Sequence, residues 1–333
     1  MNVEVRSFND VHQHARAIPG WSQHYDQLSP GSLNSSLRQV STQTFQMFHE
    51  VLNRQVVQRG QCPPRRLCLA VSDMALEASS AGRSKPPLSR VVLLRNSEEF
   101  MLHAPQGLSL VAANVDFDRF IEMAELHLLP HQTALARGAA ALAVNEATAT
   151  RLKDTLYLIL LQTRQQPANN APTATLDKVM DEMLLNAFLD LFAAVGDPRT
   201  QTRCGSSVSS YMVRRSRELV EGNVCSPLSI LDLCAQLRVS RRTLQASFQR
   251  VAGIGPLEYL RNLRLNAVRR RLGTTAAHEL QVGDAAAEMG FFHLSHFARH
   301  YRELFGELPS DTLRADGRPT VAHAGHRGTL RSS

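Results

Sequence analysis

Two short stretches carry side chains whose types and spacing suit the reading of a nucleic acid. The first, VSRRTLQASFQRVAGIGP (residues 239–256), sets Ser240, Arg241, Arg242 and Thr243 ahead of an amphipathic run. Arginine forks onto guanine and glutamine onto adenine in a major groove. On a helical wheel Leu244, Phe248 and Val251 share one side. Arg242, Gln245, Ala246 and Gln249 fall opposite them. Arg241 flanks the apolar side, about 100° from Arg242. Arg242 and Gln245, with Gln249 beside them, are the candidate base readers. Arg241 is the candidate grip on the backbone, with Ser240 and Thr243 binding phosphate at the helix start. Pairing of Arg241 with Glu218 or Glu258 is its alternative.

The second stretch, HLSHFARHYR (residues 293–302), repeats the pattern. Phe297, Tyr301 and Leu304 turn inward, while Ser295, Ala298, Arg299 and Arg302 turn outward. Arg299 is the groove candidate, and His296, on the flank, meets a phosphate. His293, His296 and His300 lack a Cys or carboxylate companion at ligand spacing, so no metal site is read there.

Positioning these side chains takes two copies of one unit. DLCAQLRVSRRTLQASFQRVAGIGP aligns with DAAAEMGFFHLSHFARHYRELFGELP. Asp232 matches Asp284 at a spacing of 52, and Phe248 matches Tyr301 at 53. Gly253 matches Gly306, and Pro256 matches Pro309, also at 53. Each copy reads as a short helix, a tight turn and a second helix, the layout that holds a helix against a major groove. Ala235 and Ala287 are read as the points where the two helices meet closely. Ser229 and Asp232 form the cap of the first unit. Residues 256–272 read as a helix of about 25 Å, which sets the two readers about one DNA turn apart. Its run Arg261, Arg264, Arg269, Arg270 and Arg271 offers extra contacts to the DNA backbone.

Charge agrees with a polyanionic partner. The 333 residues carry a net +7. Residues 211–310 hold 14 Arg, no Lys and 9 acidic residues, so most of the excess lies there. The five cysteines are scattered and suit a reducing compartment. No secretory pattern and no apolar run of membrane length occurs, so the expectation is a cytoplasmic protein.

Four regions are expected. Residues 1–195 form an effector-binding and dimerisation domain, α+β, with a β-rich barrel-like unit followed by helices. Residues 196–210, rich in Gly, Ser and Thr, form a linker. Residues 211–314 form an all-α DNA-binding domain with helix-turn-helix units at about 229–251 and 282–305. Residues 315–333 form a disordered tail. The Met/Leu face of residues 176–191 suits either a dimer surface or a core-packed helix.

Enzyme signatures are missing. There is no G-x-S-x-G, phosphate loop or dinucleotide fingerprint. His12 and His14 form a His-x-His ahead of the expected strands, and Cys62 and Cys68 lack redox or zinc spacing. A ligand-independent DNA-binding protein is the alternative to a sensor. The size of the N-terminal region favours a sensor. In GWSQHYDQL, Trp21, Tyr25 and Asp26 could cage a cationic effector. Trp21, Tyr25 and Leu28 could equally form one core-packed helix face.

The segment AAAEMGFFHLSHFARHYRELFGELPSD resembles the signature of the AraC/XylS family of bacterial transcription regulators, and the resemblance covers about residues 211–314. It implies a double-stranded DNA partner bound in two successive major grooves, RNA polymerase as a further partner, a small-molecule effector and a homodimer. A narrower resemblance, at SRRTLQ, GIGP, RLNAVRR and GWSQHYDQLSPG, is to activators of ethanolamine-utilisation operons. It implies activation of a catabolic operon by an amine such as ethanolamine, together with adenosylcobalamin.

Overall fold

The computed structural model describes residues 2–80, 89–138, 144–162, 173–195, 208–223 and 228–317. Nine strands come first: β1 (Asn2–Phe8), β2 (Ser22–Gln27), β3 (Ser35–Ser41), β4 (Phe45–Leu52), β5 (Val56–Gln61), β6 (Arg66–Ser80), β7 (Ser89–Arg95), β8 (Glu99–Ala104) and β9 (Leu108–Asp116). They run antiparallel in the order β1-β3-β4-β9-β6-β8-β5-β2, with β7 on the other edge of β6. The expected barrel is not closed. No ladder joins β1 to β2 among the described residues. Instead β6 bends: residues 66–72 pair with β9, and residues 77–80 pair with β8. A register shift between Val71 and Leu76 marks the bend, as a bulge would.

The bend folds the sheet over an apolar interior that includes Phe48, Leu52, Val92, Leu102 and Leu110. The outer face of the larger half is also covered. There Phe45, Met47, Leu69, Leu93 and Val111 meet helices α2 (Phe117–His127), α3 (Pro130–Arg137), α4 (Glu146–Gln162) and α5 (Thr173–Ala193). Burial on both faces explains why LCLAV and VVLL read as continuous apolar runs rather than alternating ones. The Met/Leu face of α5 goes into this core: Met180, Leu184, Phe188 and Leu191 are buried. That face is a packing surface.

One short helix escaped the sequence pattern. α1 (Val11–Arg16) is capped by Asp10, which accepts from the His12 and Gln13 backbone N–H groups at 2.8 and 3.0 Å. His12 and His14 therefore sit on a helix that follows β1, not upstream of all strands. Residues 22–27 form strand β2, which overturns the helical alternative for Trp21–Leu28. A spacing of four keeps two residues on one side in either conformation, but a spacing of seven separates them in a strand. Tyr25 accordingly joins the sheet interior, and Leu28 joins a different core on the outside.

The C-terminal part is helical: α6 (Val208–Glu221), α7 (Ile230–Leu237), α8 (Arg241–Ala252), α9 (Pro256–Gly273), α10 (Val282–Glu288) and α11 (Leu294–Phe305). Helix α6 takes in residues 208–210 of the expected linker; residues 196–207 lie outside the described ones, as do 318–333 of the expected tail. The capping box is present, with Asp232 accepting from the Ser229 N–H at 2.8 Å. The alanines expected at the close approach of the unit helices are not buried. Ala235 and Ala287 are exposed, while Cys234 is half-buried and its counterpart Ala286 is buried. Helices α8 and α11 both end at a glycine in the left-handed region, Gly253 at φ +66° and Gly306 at φ +76°. Among the described residues no helix is long and apolar enough to cross a membrane.

Candidate nucleic-acid interface and effector cavity

Helix α8 presents the wheel in three dimensions. Leu244, Phe248 and Val251 are buried. Arg241, Arg242, Thr243, Gln245 and Gln249 are exposed on the other sides. Ser240 is the N-cap and accepts from the Thr243 N–H at 3.1 Å, so its oxygen first serves the helix. Gln249 donates to the Gly253 carbonyl at 2.9 Å. Glu218, one of the acids considered for Arg241, is held by Arg215 at 2.8 Å.

Helix α11 buries Phe297, Tyr301 and Leu304 and exposes Ser295, His296, Arg299 and Arg302. Arg299 lies 3.4 Å from the His296 ring and 3.9 Å from Glu303. Such exposed contacts are weak enough for a phosphate or base to displace. Sequence reasoning missed Phe292 and Leu294, which are 74% and 53% exposed at the start of α11. Apolar groups at that end of a reading helix suit thymine methyls. The signal was there: the counterpart of Phe292 is Val239, a smaller residue that packs into the first unit.

The arginine run on α9 lies differently from expectation. Arg269 binds Asp10 at 2.6 Å and Glu307 at 2.8 Å. Arg270 binds Asp26 at 2.7 Å, and Arg271 binds Glu288 at 3.2 Å. Arg269 and Arg270 fasten α9 to the N-terminal domain, and Arg271 ties α9 to α10, so these three are held by protein carboxylates and not left free for a DNA backbone.

Asp26 is likewise displaced from its expected role. It is 1% exposed and faces away from the sheet interior, bound by Arg217 and Arg270. Burial would raise its pKa, but the two guanidinium groups hold it at about 2. Trp21 and Tyr25 do come together, at a narrow cavity of about 40 Å³ inside the folded sheet. The carboxylate there is Glu50. Gln58 donates to it at 2.9 Å, Tyr25 at 3.3 Å, and the His14 ring lies at 3.5 Å. Burial pushes the Glu50 carboxyl up to about 7, and burial pushes the His14 ring down to about 4. Trp21 donates to Gln46 at 3.1 Å and meets Phe48 and Phe100 edge-on. Glu50 was missed because it lies 25 residues from Tyr25 in the chain. Cys62 and Cys68 also meet: a hydrogen bond from Cys68 lowers the Cys62 thiol, and burial raises that of Cys68. Their sequence spacing gave no hint of that contact. No group of three His, Cys, Asp or Glu among the described residues could hold a metal ion.

Residues 233–315 match the family model of a helix-turn-helix domain. The chain is 40% identical over 97 residues to the XylDLEGF operon transcriptional activator 3 of Pseudomonas putida, covering 29% of each chain. It is 34% identical over 105 residues to the transcriptional regulator GbdR of Pseudomonas aeruginosa, covering 31% of this chain and 28% of that one. A solved structure, of a probable AraC family transcriptional regulator from Rhodopseudomonas palustris, shares 35% identity. It covers 33% of this chain and 99% of that one, with a TM-score of 0.28. The C-terminal third is an AraC-type DNA-binding domain. These relatives are named as regulators of transcription. The AraC-type match spans less than a third of the length of the two named relatives.

Proposed function

We propose that the protein activates a catabolic operon, with both helix-turn-helix units reading DNA and the folded sheet sensing a small amine. The carrying observation is that both α8 and α11 bury their apolar sides and leave Arg242, Gln245 and Gln249, and Ser295 and Arg299, in solvent. In this reading Arg241, Thr243, His296 and Arg302 contact phosphates, and Ser240 orders the start of α8. Helix α9, 18 residues long, spans about 27 Å and suits successive major grooves. Selection of binding sites from random duplexes tests this with the full chain. The expected product is two unlike half-sites about one helical turn apart. A single half-site, retained when α11 is altered at Arg299, overturns the two-reader arrangement.

The amine reading moves from Asp26 to Glu50. A cation beside Trp21, Tyr25 and Glu50 would draw the carboxyl pKa down, so binding releases a proton and strengthens as pH rises toward 8. The cavity has room for about three water-sized groups, which suits an amine of ethanolamine size and leaves no place in it for adenosylcobalamin. Melting of the full chain with ethanolamine at pH 6 and pH 8 tests this. A larger rise at pH 8 is expected; no rise at either pH removes the amine. Activation further requires contact with RNA polymerase, read by transcription in vitro, and the homodimer is read by sedimentation.

A further inference from the structure

A cleft of about 340 Å³ lies at the domain junction, distinct from the cavity inside the sheet. Its charged lining is Arg59 of β5, Asp26 of β2, Arg217 and Glu221 of α6, and Arg264 and Arg270 of α9. Leu228, Leu260, Leu263 and Met289 supply apolar walls. The four arginines face two carboxylates, each of which already serves two of them. Asp26 binds Arg217 and Arg270, while Glu221 lies 2.9 Å from Arg217 and 3.2 Å from Arg59. Among the described lining residues two positive charges remain uncompensated. Residues 224–227, which join Asn223 to Leu228 in the chain, carry no charge.

Arg264 is the clearest case. Among the described residues it has no ion pair; its guanidinium lies 5.7 Å from the centre of the Phe291 ring. Burial, then the neighbouring Arg261, lower its pKa, so its charge is held at a cost. The Nε atoms of Arg59, Arg264 and Arg270 are buried without a hydrogen-bond partner among the described residues. A forked donor without an acceptor among the described residues, Arg264, in a cleft with apolar walls and surplus positive charge, matches an oxyanion on an apolar body.

We propose that this cleft binds a small organic dianion, a phosphate monoester or a dicarboxylate, between the N-terminal domain and the DNA-binding domain. The bound dianion spans Arg59 on one side and Arg264 and Arg270 on the other. Through Arg264 and Met289 it also touches the turn of the second unit. The site stands on the cleft alone, whatever DNA sequence the readers prefer.

The test melts the full chain with phenyl phosphate, phenylsuccinate, phenol, benzylamine and inorganic phosphate. One or both organic dianions raise the melting temperature in a saturable way, and which of them does so identifies the headgroup. Arg264→Gln weakens that binding at least tenfold, while the ligand-free melting temperature holds or rises, because an uncompensated charge is removed. Arg264→Lys restores part of the affinity. Glu50→Gln leaves dianion binding intact, which separates this site from the amine cavity. The proposal is overturned if neither dianion shifts the melting temperature, or if phenol, benzylamine or inorganic phosphate does so equally. It is also overturned if Arg264→Gln binds the dianion as wild type does.

Discussion

The two helix-turn-helix units share a register and a glycine cap, yet they are anchored in different ways. The first shares its core with the sheet. Leu244, Phe248 and Tyr259 pack in one cluster with Leu28, Val57 and Met101 from the outer face of the sheet. The second closes its own core, where Phe297, Tyr301 and Leu304 meet Val268 and Leu272 of α9. Its ties to the N-terminal domain are polar. Gly31 donates to the carbonyls of Glu303 and Leu304 at 3.0 and 3.1 Å, and Gln27 donates to that of Leu304 at 2.6 Å. A Cβ at Gly306 would strike Ser32, so the glycine cap of α11 also permits that approach. The difference teaches how one duplicated reader can be held rigidly at one end and by exchangeable bonds at the other. An apolar seam separates only with large exposure to water, whereas hydrogen bonds and ion pairs can be traded for solvent or ligand.

The largest expected effect comes from the charge cluster that spans the two domains. Asp26→Asn leaves Arg217 and Arg270 without their shared carboxylate, and Arg217 is 3% exposed. Removing one partner of a buried pair costs about 3–5 kcal/mol. Urea unfolding should show that loss, and a change under 1 kcal/mol would mean that the junction is already open in solution.

Next, Phe248→Ala and Phe297→Ala should each cost about 3–5 kcal/mol but in different places. Hydrogen exchange should show the first loosening β2, β5 and β8 as well as α8. The second should loosen α10, α11 and the C-terminal half of α9, and leave the sheet unchanged. Equal spread in both variants would erase the contrast between the anchors.

The pH dependence of Glu50 gives a third effect. Its folded pKa, about 7, lies above the ordinary 4.5. The folded state therefore holds a proton that the unfolded chain has lost, and this contribution is lost as pH rises from about 4.5 through 7. Glu50→Gln should be near neutral at pH 5 and stabilising by about 3 kcal/mol at pH 8. His12 and His103, held at about 4 and about 3 chiefly by burial, give the opposite slope in both proteins and cancel from the comparison. A difference that does not change with pH would place Glu50 in water.

Smaller effects separate the readers. Arg242→Ala should relax preference at one position of one half-site, costing about 1–3 kcal/mol, and Arg299→Ala should do so in the other. Selection from random duplexes checks both. Arg241→Ala should weaken binding to all sequences alike and reduce the salt slope by about 1. Exchanged outcomes for Arg241 and Arg242 would rotate α8 relative to the groove.

Much of the reading surface was legible because helix periodicity is local. The exposed Arg242, Gln245 and Gln249 and the buried Leu244 and Phe248 follow from 3.6 residues per turn alone. The same reasoning stopped at the helix ends, so Phe292 and Leu294 were passed over. It failed at residues 21–28, where the match of Trp21 with Tyr25 fits two periods and only the pairing of β2 with β5 decides between them. It also assigned Arg269, Arg270 and Arg271 by charge, although their partners lie on other elements.

By itself the sequence determined the duplicated unit, its 52- and 53-residue register, and the arginine excess around it. These are matters of order and spacing along one chain. Only the tertiary structure decided which carboxylate joins Trp21 and Tyr25, and which arginines bind protein. Glu50, Asp26, Asp10 and Glu307 reach their partners across distant chain positions. Charge sites and cavities depend on distance and burial, which no local period encodes.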